Sequence, residues 1–253
     1  MARRPSQACR LIAALLLGAA ALPAQAREEP PPWSYQGKRG VHAWGDLGPG
    51  YATCKLGKFQ SPIDIREADA QKAVLPEIRF GYTPARGRVV NNGHTIQVNM
   101  AAAGGVTLPD GDYPLVQFHF HAPSEEKFDG KRHPMDVHLV HRNAKGTQAV
   151  VAVQFQEGRA NAALQAVFDK MPVKPGEKRV LPMLDASGLL PADRSYYRFQ
   201  GSLTTPPCSE EVAWHVLKQP VEASRAQLRA FRKLYPMNAR PVQPLNGRTI
   251  EVN

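Results

Sequence analysis

Residues 115–141 read LVQFHFHAPSEEKFDGKRHPMDVHLVH, and the fold and chemistry of the chain turn on them. The stretch opens on a strand-like run carrying His119 and His121 in H-x-H spacing. It closes on a second run, 136–141, carrying His138. Side chains two apart in a strand point to one face, so Gln117, His119 and His121 project together, and Asp136 shares a face with His138. Pairing of the two runs would bring His138 beside the H-x-H. Three neutral imidazoles with an open fourth position make a catalytic zinc site, whereas structural zinc is usually closed by four ligands, mostly Cys. No Cys lies in this stretch. An H-x-H alone also arises as ordinary core or surface histidine. The neighbours favour a metal, because a ligating His gives its second ring N–H to a carbonyl or carboxylate. Gln117 and Asp136 stand where they can accept it.

Upstream, Arg3, Arg4 and Arg10 precede a short apolar run, Leu11 to Leu22, and an A-x-A cleavage pattern at 24–26. Residues 1–26 therefore read as a secretory signal peptide, the alternative being a membrane anchor. The apolar run is short for a bilayer span. Residues 27–32 form a Pro-rich linker, and 33–253 form one domain large enough for a substantial core. The formal charge of +10 falls to +7 without the three leader arginines. The remaining Lys and Arg are scattered, which speaks against a nucleic-acid surface. No second apolar span follows, so no membrane partner is expected after cleavage. Cys54 and Cys208 remain, and an even pair in an exported chain suggests one disulfide; two buried free thiols are the alternative.

Short strand signals recur at 78–82, 88–92, 95–100, 149–155, 196–199 and 212–217, separated by turn signals such as Gly104-Gly105 and Asp110-Gly111. The 160–171 segment has apolar residues at helical spacing, and 224–234 reads as a helix capped by Ser224. The Gly-rich segment after Trp33 reads as irregular structure packed on the body. Many short strands and few short helices imply an α+β, sheet-dominated single domain.

Five motifs then carry a resemblance: QSPIDI at 60–65, NNGH at 91–94, QFHFH at 117–121, HLVH at 138–141 and GSLTTPP at 201–207. In this order, over about residues 33–252, they resemble the alpha-class carbonic anhydrases of exported bacterial type. The resemblance implies a central twisted, mostly antiparallel sheet of about ten strands with short peripheral helices. It also implies one zinc ion per chain on His119, His121 and His138. Gln117, Asp136 and the Asn238 carbonyl would hold the outer nitrogens of those rings. Thr204 and Glu125 would orient the nucleophile, and His94 would relay protons, with Tyr35, Asn92 and Gln97 ordering its water path. Val140, Val150, Leu203, Thr205, Val212 and Trp214 would line the carbon dioxide pocket. Cys54 and Cys208 match the disulfide of exported members.

The implied reaction is reversible hydration of carbon dioxide to bicarbonate and a proton, by attack of zinc-bound hydroxide and proton release through His94. Sulfonamide and anion inhibitors, a periplasmic or secreted location, and a monomer or homodimer come with the same resemblance. Two departures stand out. Asp136 occupies a position where the family usually has Glu, one methylene longer, and Glu126 stands where it often has His. The competing readings are an inactive binding module of the same fold and a zinc-holding protein. The first generally lacks a ligand His, and the second does not explain the Thr204–Glu125 pair.

Overall fold

The alternating runs become strands. The structure, a computed structural model, describes Met1 and residues 31–253; the rest of the leader and residues 27–30 of the linker lie outside the described residues. The strands in chain order are β1 Asp64–Ile65, β2 Gln71–Lys72, β3 Arg79–Phe80, β4 Ala85–Asn91, β5 Ile96–Met100, β6 Gly105–Leu108, β7 Gly111–His121 and β8 Lys127–Phe128. They continue with β9 Met135–Arg142, β10 Gln148–Glu157, β11 Lys178–Leu184, β12 Tyr196–Gly201, β13 Val212–Leu217, β14 Val221–Ala223 and β15 Glu251–Val252. Among the described residues three α-helices accompany them: α1 Thr53–Leu56, α2 Ala162–Phe168 and α3 Arg225–Leu234. The segment after Trp33 folds into 3-10 turns.

The main sheet runs β11-β4-β5-β7-β9-β10-β13-β12-β15-β2, a path of ten strands. The neighbours along it are antiparallel except for β10–β13 and β15–β2. β7 and β9, the two histidine runs, pair at its centre. Both faces are covered. On one, Phe118, Phe120, Leu139 and Val151 pack beneath Leu164, Phe168 and Phe231 of α2 and α3. On the other, Ile63, Val140, Val150, Phe199 and Trp214 form a second cluster. Burying each large side chain contributes about 1.5–3 kcal/mol, so the sheet centre is the most heavily stabilised part of the molecule.

One irregularity positions the site. Strict alternation would put Leu115 on the face of Gln117, His119 and His121. The β7–β9 register slips between Leu115 and Gln117, Leu115 opposing His141 and Gln117 opposing Val140. The extra residue of this bulge reverses the parity. Leu115 joins Phe118 in the core under the helices, and the histidines face the other way.

Candidate metal centre

Register assembles the site. His119 lies directly opposite His138, and Gln97 opposite His119. One row along, Val140 opposes Val150, which opposes Trp214. A polar row and an apolar row thus lie side by side on one face of the sheet. Between them opens a cleft of about 250 Å³ that includes all three histidines. A larger cavity of about 600 Å³ lies around Arg198, His215 and Glu251. Its lining includes neither of the described residue groups close enough to share a metal ion, so volume does not pick out the site.

Each of the three rings is held by the nitrogen that points away from the centre. His119 Nδ1 donates to Gln117 Oε1 at 2.9 Å. His121 Nδ1 donates to the Asn238 carbonyl at 2.8 Å. His138 turns Nε2 outward, to Glu126 Oε2 at 3.3 Å and Asp136 Oδ2 at 3.4 Å. This leaves His119 Nε2, His121 Nε2 and His138 Nδ1 facing inward. Ligand atoms of the three residues lie within 4.8 Å of one another. His121 Nε2 is buried with no hydrogen-bond partner among the described residues. An orphaned buried polar atom costs about 1–3 kcal/mol, so the cluster fits a cation and not an apolar ligand. Burial, with His121 and His138 beside it, pushes the His119 imidazole well below its usual pKa and keeps it neutral. At His138 burial is outweighed by Asp136 and Glu126, which raise its pKa well above the usual value, so a metal at its Nδ1 would displace a proton. Three inward imidazole nitrogens with an accessible side suit catalytic zinc.

Glu125 is fully buried. Its Oε1 accepts the Arg240 backbone N–H at 2.7 Å, and its Oε2 stands 3.5 Å from His121 Nε2. Burial raises its pKa, while His121, His138 and the Thr204 hydroxyl draw it back. Thr204 itself is buried at the cleft wall beside Thr205 and Leu203. Val140, Val150 and Trp214 also line the cleft; Val212 packs in the same cluster but behind the lining.

His94 sits at the mouth, half-buried, its ring stacked on Trp33 at 3.6 Å and 8°. The Asn92 side chain accepts the His94 and Thr95 N–H groups, both at 2.9 Å, and shapes the turn. Asn92 and Gln97 touch at 3.4 Å, and Tyr35 lines the same opening. Asn238 ties the parts together. Its carbonyl holds His121, its Oδ1 accepts from Ala122, and its Nδ2 donates to the His94 carbonyl at 3.1 Å.

Two contacts were not legible in the sequence. Arg240 is buried, donating to Gln60 Oε1 and to the Ser61 and Cys54 carbonyls, so it knots the QSPIDI motif to the Glu125 loop. Glu126 reaches His138. Nothing in the local pattern marks Arg240, and Glu126 stands out only as a departure from the family, with no sign of its partner, because each partner is distant in sequence or lies across a turn. Cys54 and Cys208 form the disulfide. Gly201, which opens GSLTTPP, lies so close to Ser61 Oγ and the Trp214 ring that no Cβ fits there.

Comparison with known proteins agrees with this geometry. The family model for the eukaryotic-type carbonic anhydrase matches residues 39–253. A carbonic anhydrase of Neisseria gonorrhoeae is 42% identical over 252 residues, 99% of each chain. One from Nostoc sp. is 42% identical over 223 residues, 86% of this chain and 84% of the relative. The alpha-carbonic anhydrase of Thermovibrio ammonificans, solved in complex with sulfanilamide, superposes with a TM-score of 0.86 at 50% identity, covering 87% of this chain and 99% of its own. A triad of inward imidazole nitrogens beside an apolar wall, in a chain that matches this family almost from end to end, makes the protein a member of the eukaryotic-type, alpha-class carbonic anhydrases, zinc enzymes that reversibly hydrate carbon dioxide.

Proposed function

We propose that His119, His121 and His138 hold the zinc, and that the cleft above them is where carbon dioxide and bicarbonate interconvert. The observation that carries this is the orientation of the three rings. Each has its outer nitrogen engaged, which leaves one nitrogen per ring aimed at a common point and free to ligate. When bound, zinc acidifies a coordinated water, for which carbonic anhydrase is the long-established example, and so supplies a nucleophile near neutral pH.

The chain's own residues do the rest. Val140, Val150, Leu203 and Trp214 give carbon dioxide, an apolar molecule, a dry wall to rest on. Thr204 donates its hydroxyl proton to Glu125, which leaves the threonine oxygen able only to accept from the attacking water or hydroxide. That aims a lone pair at the carbon, and Thr205 lies beside it. Glu125 is held in place by the Arg240 N–H. His94 carries the released proton from the cleft to buffer, with Tyr35, Asn92 and Gln97 ordering the water between. His119, His121 and His138 need Gln117, Asn238 and the carboxylates behind His138 to fix their tautomers.

The same reading extends to the whole chain. Residues 1–26 direct export and are removed, 27–32 link, and 33–253 make the catalytic domain in an oxidising compartment that supports Cys54–Cys208. Among the described residues no helix is long and apolar enough to cross a membrane. Sulfonamides and small anions compete for the metal and Thr204, in keeping with the sulfanilamide complex of the Thermovibrio relative. The protein works as a monomer or a homodimer.

Stopped-flow hydration of carbon dioxide by the zinc-loaded mature protein is the test. One zinc per chain and fast, sulfonamide-sensitive turnover are expected, with both zinc and turnover lost in His119→Ala. Full activity in His119→Ala would refute the site.

A further inference from the structure

Two carboxylates lie behind His138, where the reaction needs only one. Glu126 and Asp136 are both wholly buried. Glu126 Oε2 lies 3.3 Å from His138 Nε2 in hydrogen-bond alignment. Asp136 Oδ2 lies at 3.4 Å as a charge contact. That same Asp136 oxygen already accepts the Glu125 backbone N–H at 2.7 Å. The Asp136 oxygen that faces His138 is thus shared with the Glu125 amide, which holds it at the shorter distance. Glu126 is one methylene longer and comes from the other side.

The backbone of Glu126 is fixed for this. Its carbonyl accepts the Ser124 hydroxyl at 2.9 Å, and the same hydroxyl oxygen accepts the His133 N–H at 3.0 Å. The following residues, Lys127 and Phe128, are locked into β8 against β1. The Glu126 side chain therefore enters the interior from a braced turn and has His138 Nε2 as its polar target.

Resting on the zinc reading above, we infer that Glu126 is a positioning residue for the metal centre: it takes the Nε2–H of His138 and keeps Nδ1 free for zinc, while Asp136 braces the Glu125 loop. The two roles that one longer carboxylate could combine are divided between two residues in this chain.

The test is the rate at which the zinc-loaded protein gives up its metal to a chelator, with zinc content measured by native mass spectrometry. Glu126→Ala removes the acceptor. Glu126→Gln keeps an acceptor oxygen but not the charge. Asp136→Asn keeps an acceptor for the Glu125 amide. Outer-sphere loss of this kind typically changes metal affinity about 10–100-fold. The expected order of release rates is Glu126→Ala fastest, at about 10–100-fold over the native protein, then Glu126→Gln, then Asp136→Asn. The ¹⁵N resonance of His138 Nε2 should move in Glu126→Gln, while those of His119 and His121 stay. If Glu126→Ala does not fold, the order of Glu126→Gln over Asp136→Asn decides. Release from Asp136→Asn faster than from both Glu126 variants overturns the inference. So does a native rate in Glu126→Ala. Two zinc ions in the native chain and one in Glu126→Ala would overturn it in favour of a second cation held by Glu126, Asp136 and His138. A native chain that binds no zinc would instead remove the reading of the three imidazoles, and this inference with it.

Discussion

His94 shows how much one contact can decide. Its ring is sandwiched against Trp33, and burial lowers its pKa below the usual 6.5. In its proposed role as proton relay, His94 must be neutral to receive a proton and charged to deliver it, so this pKa would set where turnover falls off in acid. His94→Ala should lower kcat on the order of 10²-fold, leave kcat/KM close to native, and be rescued by added imidazole. Trp33→Ala should let the His94 pKa rise toward its ordinary value, and the acid limb of the kcat profile should move to higher pH. A limb that stays in place would mean the stack does not tune the relay.

At the scale of elements, α3 is built from local signals. Ser224 Oγ accepts the Gln227 N–H at 3.2 Å, and Gln227 Oε1 accepts the Ser224 N–H at 3.0 Å, a complete capping box. The Gln227 amide also donates to the Asn161 carbonyl, so the box ties α3 to the start of α2. Ser224→Ala should cost about 1 kcal/mol, read as a lower urea midpoint with carbon dioxide hydration unchanged. A loss several times larger would mean that the link to α2 depends on the cap. The strands tell the opposite story. Most of the long ones follow from alternation or an apolar run, but the two-residue strands β1, β2, β8 and β15 were not anticipated, nor were β6, β11 and β14. Their residues are largely exposed or short, and pairing with β7, β4 and β10 is what makes them strands.

Two features act on the whole molecule. The Cys54–Cys208 disulfide spans 154 residues. On the chain-entropy account, closing so long a loop in the unfolded state stabilises the fold by about 5 kcal/mol at most. Cys54→Ser with Cys208→Ser should therefore lower the urea midpoint strongly while keeping one zinc per chain; an unchanged midpoint would show that the cross-link adds nothing. The second feature is a pair of buried imidazoles away from the metal. Burial pushes His141 down to about 3 and His215 down to about 4. His141 is locked neutral, with Nε2 against the Tyr82 hydroxyl at 2.8 Å and Nδ1 donating to the Ala149 carbonyl. Unfolded, both would titrate near 6.5, so below that pH the unfolded chain binds more protons than the fold. Their contribution is complete above about pH 6.5 and is lost as pH falls toward the folded values. Each group accounts for about 1.4 kcal/mol per pH unit in that window. Urea titrations between pH 7 and 5 should show this slope, and it should be shallower in His141→Gln. Equal slopes would place the acid sensitivity elsewhere.

The sheet-dominated class, the three zinc histidines, the disulfide partners and the Ser224 cap were all legible in the chain, because each rests on periodicity, spacing or a local motif. His119 and His121 share a face by the pleat alone, and QFHFH with HLVH named the partner run. The bulge between Leu115 and Gln117 was not legible, since it depends on how β7 registers against β9. Nor was the division of labour behind His138. Whether Asp136 or Glu126 takes the imidazole N–H turns on reach and on a competing backbone amide. Such contests are settled only when the chain is packed, because a buried donor goes to whichever acceptor the surrounding atoms leave free and aligned.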